Sequence, residues 1–168
     1  MEQRIAEIHA GEQVVDGTGE QKMSLRCIGP EMGLSESGNA ASMVLQAEYG
    51  NFSMLLTGDV EGAGEKQLVK SGRLGKCRIL KAAHHGSKNS GTEEFLDAVE
   101  PQIVLISAGR GNRYGHPHEE TLERLKSRNC QVIQHSSVEL SRSKVMERNC
   151  FSAENVVAVA VTEEKYLA

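Results

Sequence analysis

The chain has no tryptophan, only three prolines and only 4% aromatic residues, so the core that its 168 residues build must be largely aliphatic. It has no excess of positive charge: 19 Lys and Arg stand against 23 Asp and Glu, a net charge of −4. That excludes coating of nucleic acid by bulk electrostatics and leaves room only for a local basic groove. No apolar run approaches the roughly 20 residues that cross a bilayer. The longest, VVAVAV at 156–161, suits a buried strand. The opening MEQRIAEIHAGEQ is polar and acidic, unlike a secretory signal, so the expectation is a soluble, cytoplasmic chain with no transmembrane segment. Cys27, Cys77, Cys130 and Cys150 form no CxxC pair, which argues against a structural zinc knot. The first three lie in strand-like stretches and are expected as reduced, buried thiols. A GxGxxG fingerprint, a P-loop and a GxSxG elbow are all missing. Ser87 follows a pair of histidines instead of sitting between glycines, so serine-hydrolase chemistry has no support.

What is present describes one globular domain: 39% hydrophobic and 25% charged residues, in a length that buries a real core. MSLRCIGP reads as a strand ended by Gly29 and Pro30. Met43, Leu45, Ala47 and Tyr49 alternate with Gln46 and Glu48, the period of a half-buried strand. Gly50-Asn51 then signals a two-residue hairpin into FSMLL. Beyond it the pattern alternates. GEKQLVKSG is a helix closed by Gly72, CRILKAA a strand, and TEEFLDAV a helix with Ser90 and Glu93 in capping-box register. QIVLIS is a strand, HPHEETLERLKSR a helix with Pro117 near its first position, and CQVIQ a last strand. Such alternation predicts parallel strands with helices packed outside them, and the preceding hairpin makes the sheet mixed.

Ligands gather at the carboxyl ends of such strands. Three polar clusters fall there, each with glycine beside it: Asp59 in LLTGDVE, His84 and His85 in KAAHHGSKNS, and His116 in AGRGNRYGHPH. A carboxylate after Thr-Gly suits a cation, and imidazole suits zinc or manganese. Ser87 and Lys88 offer donors to an anion. Arg110 and Arg113 match phosphate with their guanidinium forks, and Tyr114 offers a stacking face for nucleic acid. His118, in the first turn of its helix, is expected to face solvent. Each cluster alone also has a plain reading as a turn aspartate or a polar loop; their coincidence on three successive strand ends is what points to a site.

LLTGDVEGAGEKQL, ILKAAHHGSKNSGTEEFLDAVEPQIVLIS and GRGNRYGHPHEETLERL resemble, in order and spacing, the metallo-β-lactamase-like domain of bacterial DNA-internalisation competence proteins. SGNAASMVLQAEYGNFSMLLTGD, with Asn39 and Ser42 before the hairpin, is similar to the same family. The resemblance runs from about residue 5 to 135. It implies an α/β fold, half of a metallo-β-lactamase αββα sandwich, whose mixed sheet carries helices on it. Residues 1–135 would then be the C-terminal half of that domain and 136–168 a divergent tail. It implies metal-dependent phosphodiester hydrolysis in DNA uptake, with one or two divalent ions, zinc or manganese. Asp59 would be a bridging ligand, His84 or His85 a second ligand or phosphate contact, and His116 a neighbour of the site. Partners would be single- or double-stranded DNA, and the family's full-length members lie in the membrane.

The family's HxHxDH stretch has no counterpart in this sequence; the histidine upstream of the hairpin, His9, has no acidic partner motif. A two-metal site needs more ligands than Asp59 and the histidines supply. The expectation is therefore a chain inactive alone, completed by a complementary N-terminal half or by a second copy. The alternatives are a non-catalytic nucleic-acid- or partner-binding remnant of the fold, and a small-phosphoester hydrolase of the same superfamily.

Overall fold

Gly50, at φ 54°, and Asn51 form the turn that joins strands β3 (Val44–Tyr49) and β4 (Phe52–Leu56), with Tyr49 directly opposite Phe52. This is the expected hairpin. The computed structural model describes residues 7–19, 22–31 and 38–135. The tail 136–168, with VVAVAV and Cys150, lies outside the described residues. Two further strands, β1 (Gln13–Asp16) and β2 (Met23–Gly29), continue the antiparallel meander on one side of the hairpin. On the other side, β5 (Ile79–Lys81), β6 (Ile103–Ser107) and β7 (Gln131–His135) join β4 in parallel. The seven strands among the described residues form one mixed sheet and lie in it in sequence order. Three helices make the parallel crossovers: α1 (Ala63–Ser71), α2 (Glu93–Val99) and α3 (Glu119–Lys126). No helix among the described residues is long and apolar enough to cross a membrane.

All three helices contribute to one core. Leu68 of α1, Phe95, Leu96 and Val99 of α2, and Leu125 of α3 pack with Val44, Leu55, Leu80, Val104 and Ile106 of the sheet. Crossovers that always step the same way along a sheet must place their helices on the same face, given one handedness. The opposite face is apolar as well. Met54, Ile79 and Leu105 cluster there with Phe52, Leu56, Ile103 and Ile133, and with no helical residue among the described residues.

Four local expectations change. β1 was not foreseen: its four residues are all exposed, so backbone pairing at a sheet edge makes it, and side-chain periodicity gives no warning. In β3 the apolar alternation does not face the helices. Val44 and Gln46 do, both buried, while Leu45, Ala47 and Tyr49 stand opposite Leu56, Met54 and Phe52 on the other face. Gln46 tolerates burial because its amide meets Arg26 at 3.0 Å and Glu48 at 2.9 Å. The capping box does not form, since Thr92 is the N-cap of α2. Ser90 instead lies inside the preceding loop, its hydroxyl 3.0 Å and 2.8 Å from the carbonyls of Ala83 and Ser87. Pro117 falls before α3, whose N-cap is His118.

The place of the missing cap is taken by a distant residue. Glu65 of α1 is fully buried, and its two oxygens accept the Gly91 and Thr92 amides at 2.6 Å and 2.8 Å. Burial raises its carboxyl above the ordinary value, and those two amides counter part of the rise. From the other side, Arg124 of α3 donates to the carbonyls of Gly91, Lys88 and Ser90 at 2.8–2.9 Å. The loop between β5 and α2 is thus held by its amides and by its carbonyls, from two different helices.

Cys27 and Cys77 are buried free thiols, as expected, and Cys77 is pushed up to about 12 by burial. Cys130 is also free but only half buried. The start of α1 lies tight against the turn of 3-10 helix Gly38–Ala41: a Cβ on Gly64 would meet the Ala40 carbonyl oxygen at 2.5 Å and Val60 at 2.7 Å. Because the first obstacle is backbone, Gly64→Ala is expected to cost about 2 kcal/mol by overpacking, read as a shifted urea midpoint with an unchanged slope.

Candidate functional site

Strands β4, β5 and β6 are adjacent and parallel, so the loops that follow them open on one edge. β3 runs antiparallel to β4 and therefore begins at that same edge, which adds Asn39 from the 3-10 turn. The first two loops are tied by their backbones. The Thr57 hydroxyl donates to the Lys81 carbonyl at 2.6 Å, and the His84 amide donates to the Gly58 carbonyl at 3.1 Å. Asp59 follows Gly58 and is exposed at this turn.

His84 and His85 both adopt left-handed backbone, at φ 45° and 56°, and Gly86 continues it at 81°. Two successive non-glycine residues in this region cost free energy, and such strain concentrates where a fold positions functional groups. Gly86 also allows the loop to touch the third one, since a Cβ there would stand 2.7 Å from Pro117 Cβ. The amide of His118 completes this join by donating to the Gly86 carbonyl at 3.0 Å.

In the third loop Asn112 does the shaping. Its Oδ1 accepts the Tyr114 and His116 amides at 3.2 Å and 3.0 Å, while its Nδ2 donates to the Gly109 and His116 carbonyls at 2.9 Å and 2.6 Å. His116 is thereby brought to His84, ring centroids 5.3 Å apart, and to His85 at 6.3 Å; His84 and His85 are 6.4 Å apart. Tyr114 is 61% exposed, stacks on His116 at 5.9 Å, and is capped by Arg113, which lies over its ring and donates to its hydroxyl. Lys88 and Arg110 are exposed on the same rim.

The ring nitrogens are differently committed. His85 Nδ1 stands 2.6 Å from the Ser107 carbonyl, an acceptor only, so this nitrogen carries the proton and Nε2 keeps a lone pair. His84 Nδ1 has two neighbours, the acceptor Glu61 Oε2 at 3.2 Å and the donor Asn39 Nδ2 at 3.1 Å, so either tautomer finds a partner there. His118 has the reverse arrangement: its Nδ1 accepts the Lys88 amide at 3.1 Å, which leaves the proton of the neutral ring on Nε2. The expected solvent-facing role of His118 is therefore corrected to that of an N-cap residue bonded to the second loop. For His116, burial and the neighbouring His118, His84 and His85 hold the imidazole below its ordinary value, favouring the neutral form.

Glu61 was not singled out in the sequence. Its carboxylate collects Asn39 Nδ2 at 3.1 Å, His84 Nδ1 at 3.2 Å and the Ser87 hydroxyl at 3.1 Å. Burial alone would raise it, but those hydrogen bonds outweigh burial and hold it below the usual carboxylate value. Ser87 accordingly faces inward, only 4% exposed, with its hydroxyl turned to Glu61. An acidic residue two positions after Asp59 was the available signal; its partners are too far along the chain to be seen.

The residue types are those that bind divalent cations: the imidazoles of His84, His85 and His116, and an exposed carboxylate on the adjoining turn. As the side chains stand, no three His, Cys, Asp or Glu among the described residues are grouped closely enough to hold a metal ion.

No family model matches the chain. Relatives do. ComE operon protein 3 of Bacillus subtilis is 39% identical over 111 residues, 66% of this chain. Recombination protein 2 of Haemophilus influenzae is 36% identical over 105 residues, 62% of the chain. Competence protein ComA of Neisseria gonorrhoeae is 35% identical over 96 residues, 56% of the chain. The chain is similar to competence proteins. It spans only 13–14% of the length of these relatives.

Proposed function

We propose that this chain is the C-terminal half of a metallo-β-lactamase-like domain that hydrolyses phosphodiesters in a DNA-uptake competence protein. The observation that carries the reading is the gathering of His84, His85 and His116 at one strand edge, with the Nε2 lone pair of His85 left available beside the Asp59 turn. The similarity to competence proteins supports DNA as the substrate class. Asp59, His84, His85 and His116 would hold zinc or manganese, one or two ions. The metal's chemistry is activation of a water and neutralisation of phosphoryl charge. The chain's own task is to hold and orient the strand: Arg110, Arg113 and Lys88 bind the backbone, and Tyr114 stacks on a base. The apolar face of the sheet, on which no helix packs among the described residues, and the missing HxHxDH ligands both call for a complementary half, from the rest of a longer protein or from a second copy.

The test begins with metal analysis and single-stranded DNA cleavage by the purified chain. Bound zinc or manganese is expected in stoichiometric amount, weakened at least tenfold by Asp59→Ala or His85→Ala, with no cleavage until a segment bearing the HxHxDH ligands is added. Robust cleavage by the monomer alone would overturn the half-site reading. One rival is a non-catalytic nucleic-acid module, which needs no group of three ligands, and none is ready-made among the described residues. DNA binding that needs no metal, falls with salt and weakens in Arg113→Ala would establish it.

A further inference from the structure

The geometry points to Glu61 as a positioning residue that locks His84 in its Nδ1–H tautomer and so turns the Nε2 lone pair toward the site. An ionised carboxylate only accepts hydrogen bonds, so each neighbour of Glu61 must bring a proton to it. Asn39 Nδ2 does so at Oε1, and the Ser87 hydroxyl and His84 Nδ1 do so at Oε2. One further distance shows that the arrangement is a choice. Asn39 Nδ2 lies 3.1 Å from His84 Nδ1, a second donor beside the first. In the Nδ1–H form the two protons go to different oxygens of the one carboxylate, Oε1 for Asn39 and Oε2 for His84. Without it the Asn39 amide becomes the natural donor to Nδ1, the ring proton moves to Nε2, and the lone pair is lost to the site. His85 is independent, because its tautomer is set by the Ser107 carbonyl.

A carboxylate behind a histidine fixes ring orientation and strengthens the opposite nitrogen as a ligand. What Nε2 of His84 then does rests on the metal reading above, but the tautomer is measurable with no metal present. The experiment is long-range proton–nitrogen NMR of the histidine rings at about pH 8, above the ordinary imidazole pKa of about 6.5. The wild-type chain is expected to show Nδ1–H for His84 and His85 and Nε2–H for His118. Glu61→Ala should reverse His84 alone, with an unchanged His85 reporting that the loops remain folded. Asn39→Ala should leave His84 as it was. A wild-type His84 protonated at Nε2 overturns the inference, as does an Nδ1–H form that persists in Glu61→Ala. Zinc titration separates the two claims: a chain that binds no zinc yet holds His84 as Nδ1–H defeats the metal reading and supports the role of Glu61. A zinc affinity lowered about 10- to 100-fold in Glu61→Ala, together with the reversal, supports both.

Discussion

Glu65→Ala is expected to lower the stability of this chain by about 3 kcal/mol, since two part-buried amides lose a buried acceptor and each such loss costs roughly 1–3 kcal/mol. The amides are those of Gly91 and Thr92, and the N-cap Thr92 makes no side-chain cap of its own. Glu65→Gln is the informative companion. Its single amide oxygen serves one of the two donors and its NH2 confronts the other, so it should recover less than half of the loss. Urea denaturation of the three proteins measures both. A Glu65→Ala chain within about 0.5 kcal/mol of wild type, the range of ordinary surface changes, would show that the capping carboxylate contributes nothing. Arg124 grips the same loop from its carbonyl side, so Arg124→Ala combined with Glu65→Ala should not be additive.

Gly86→Ala is expected to cost about 3 kcal/mol as well, through a different mechanism that reaches the site itself. The left-handed backbone at φ 81° penalises a Cβ by about 1–2 kcal/mol, and the 2.7 Å approach to Pro117 adds an overpacking term of similar size. The strain is relieved only if the second and third loops move apart, which draws His116 away from His84 and His85. Stability and imidazole geometry should therefore fail together: a lowered urea midpoint, and changed histidine ring resonances for all three residues. A variant as stable as wild type with unchanged ring resonances would mean that the two loops are not in contact as described.

Much of the architecture was legible because it is written in short-range chemistry. Gly50-Asn51 between two alternating runs specifies a hairpin, since only glycine-like backbone fits the turn. QIVLIS and CQVIQ, alternating with amphipathic segments, specify parallel strands crossed by helices. The loops with Asp59, the paired histidines and His116 could be placed on one edge because parallel strands all end on the same side. The misread details share one cause. Ser90 has the right spacing for a cap, but Glu65, some 25 residues upstream, reaches the amides first. In β3 the apolar residues were easy to see, but which side faces the helices is decided by pairing with β4, where both faces are apolar.

Composition and pattern alone thus determined the element order from β2 onward, the parallel edge and the residue types gathered on it, because those follow from turn chemistry and from periodicities of a few residues. Only the tertiary structure decided that Glu61, Asn39 and Ser87 stand behind His84, that Ser107 stands behind His85, and that His118 turns its lone pair the other way. The reason is physical. A histidine's tautomer is set by whichever donor or acceptor lies about 3 Å from each ring nitrogen, and residues more than 20 positions apart reach that distance only when the chain has folded.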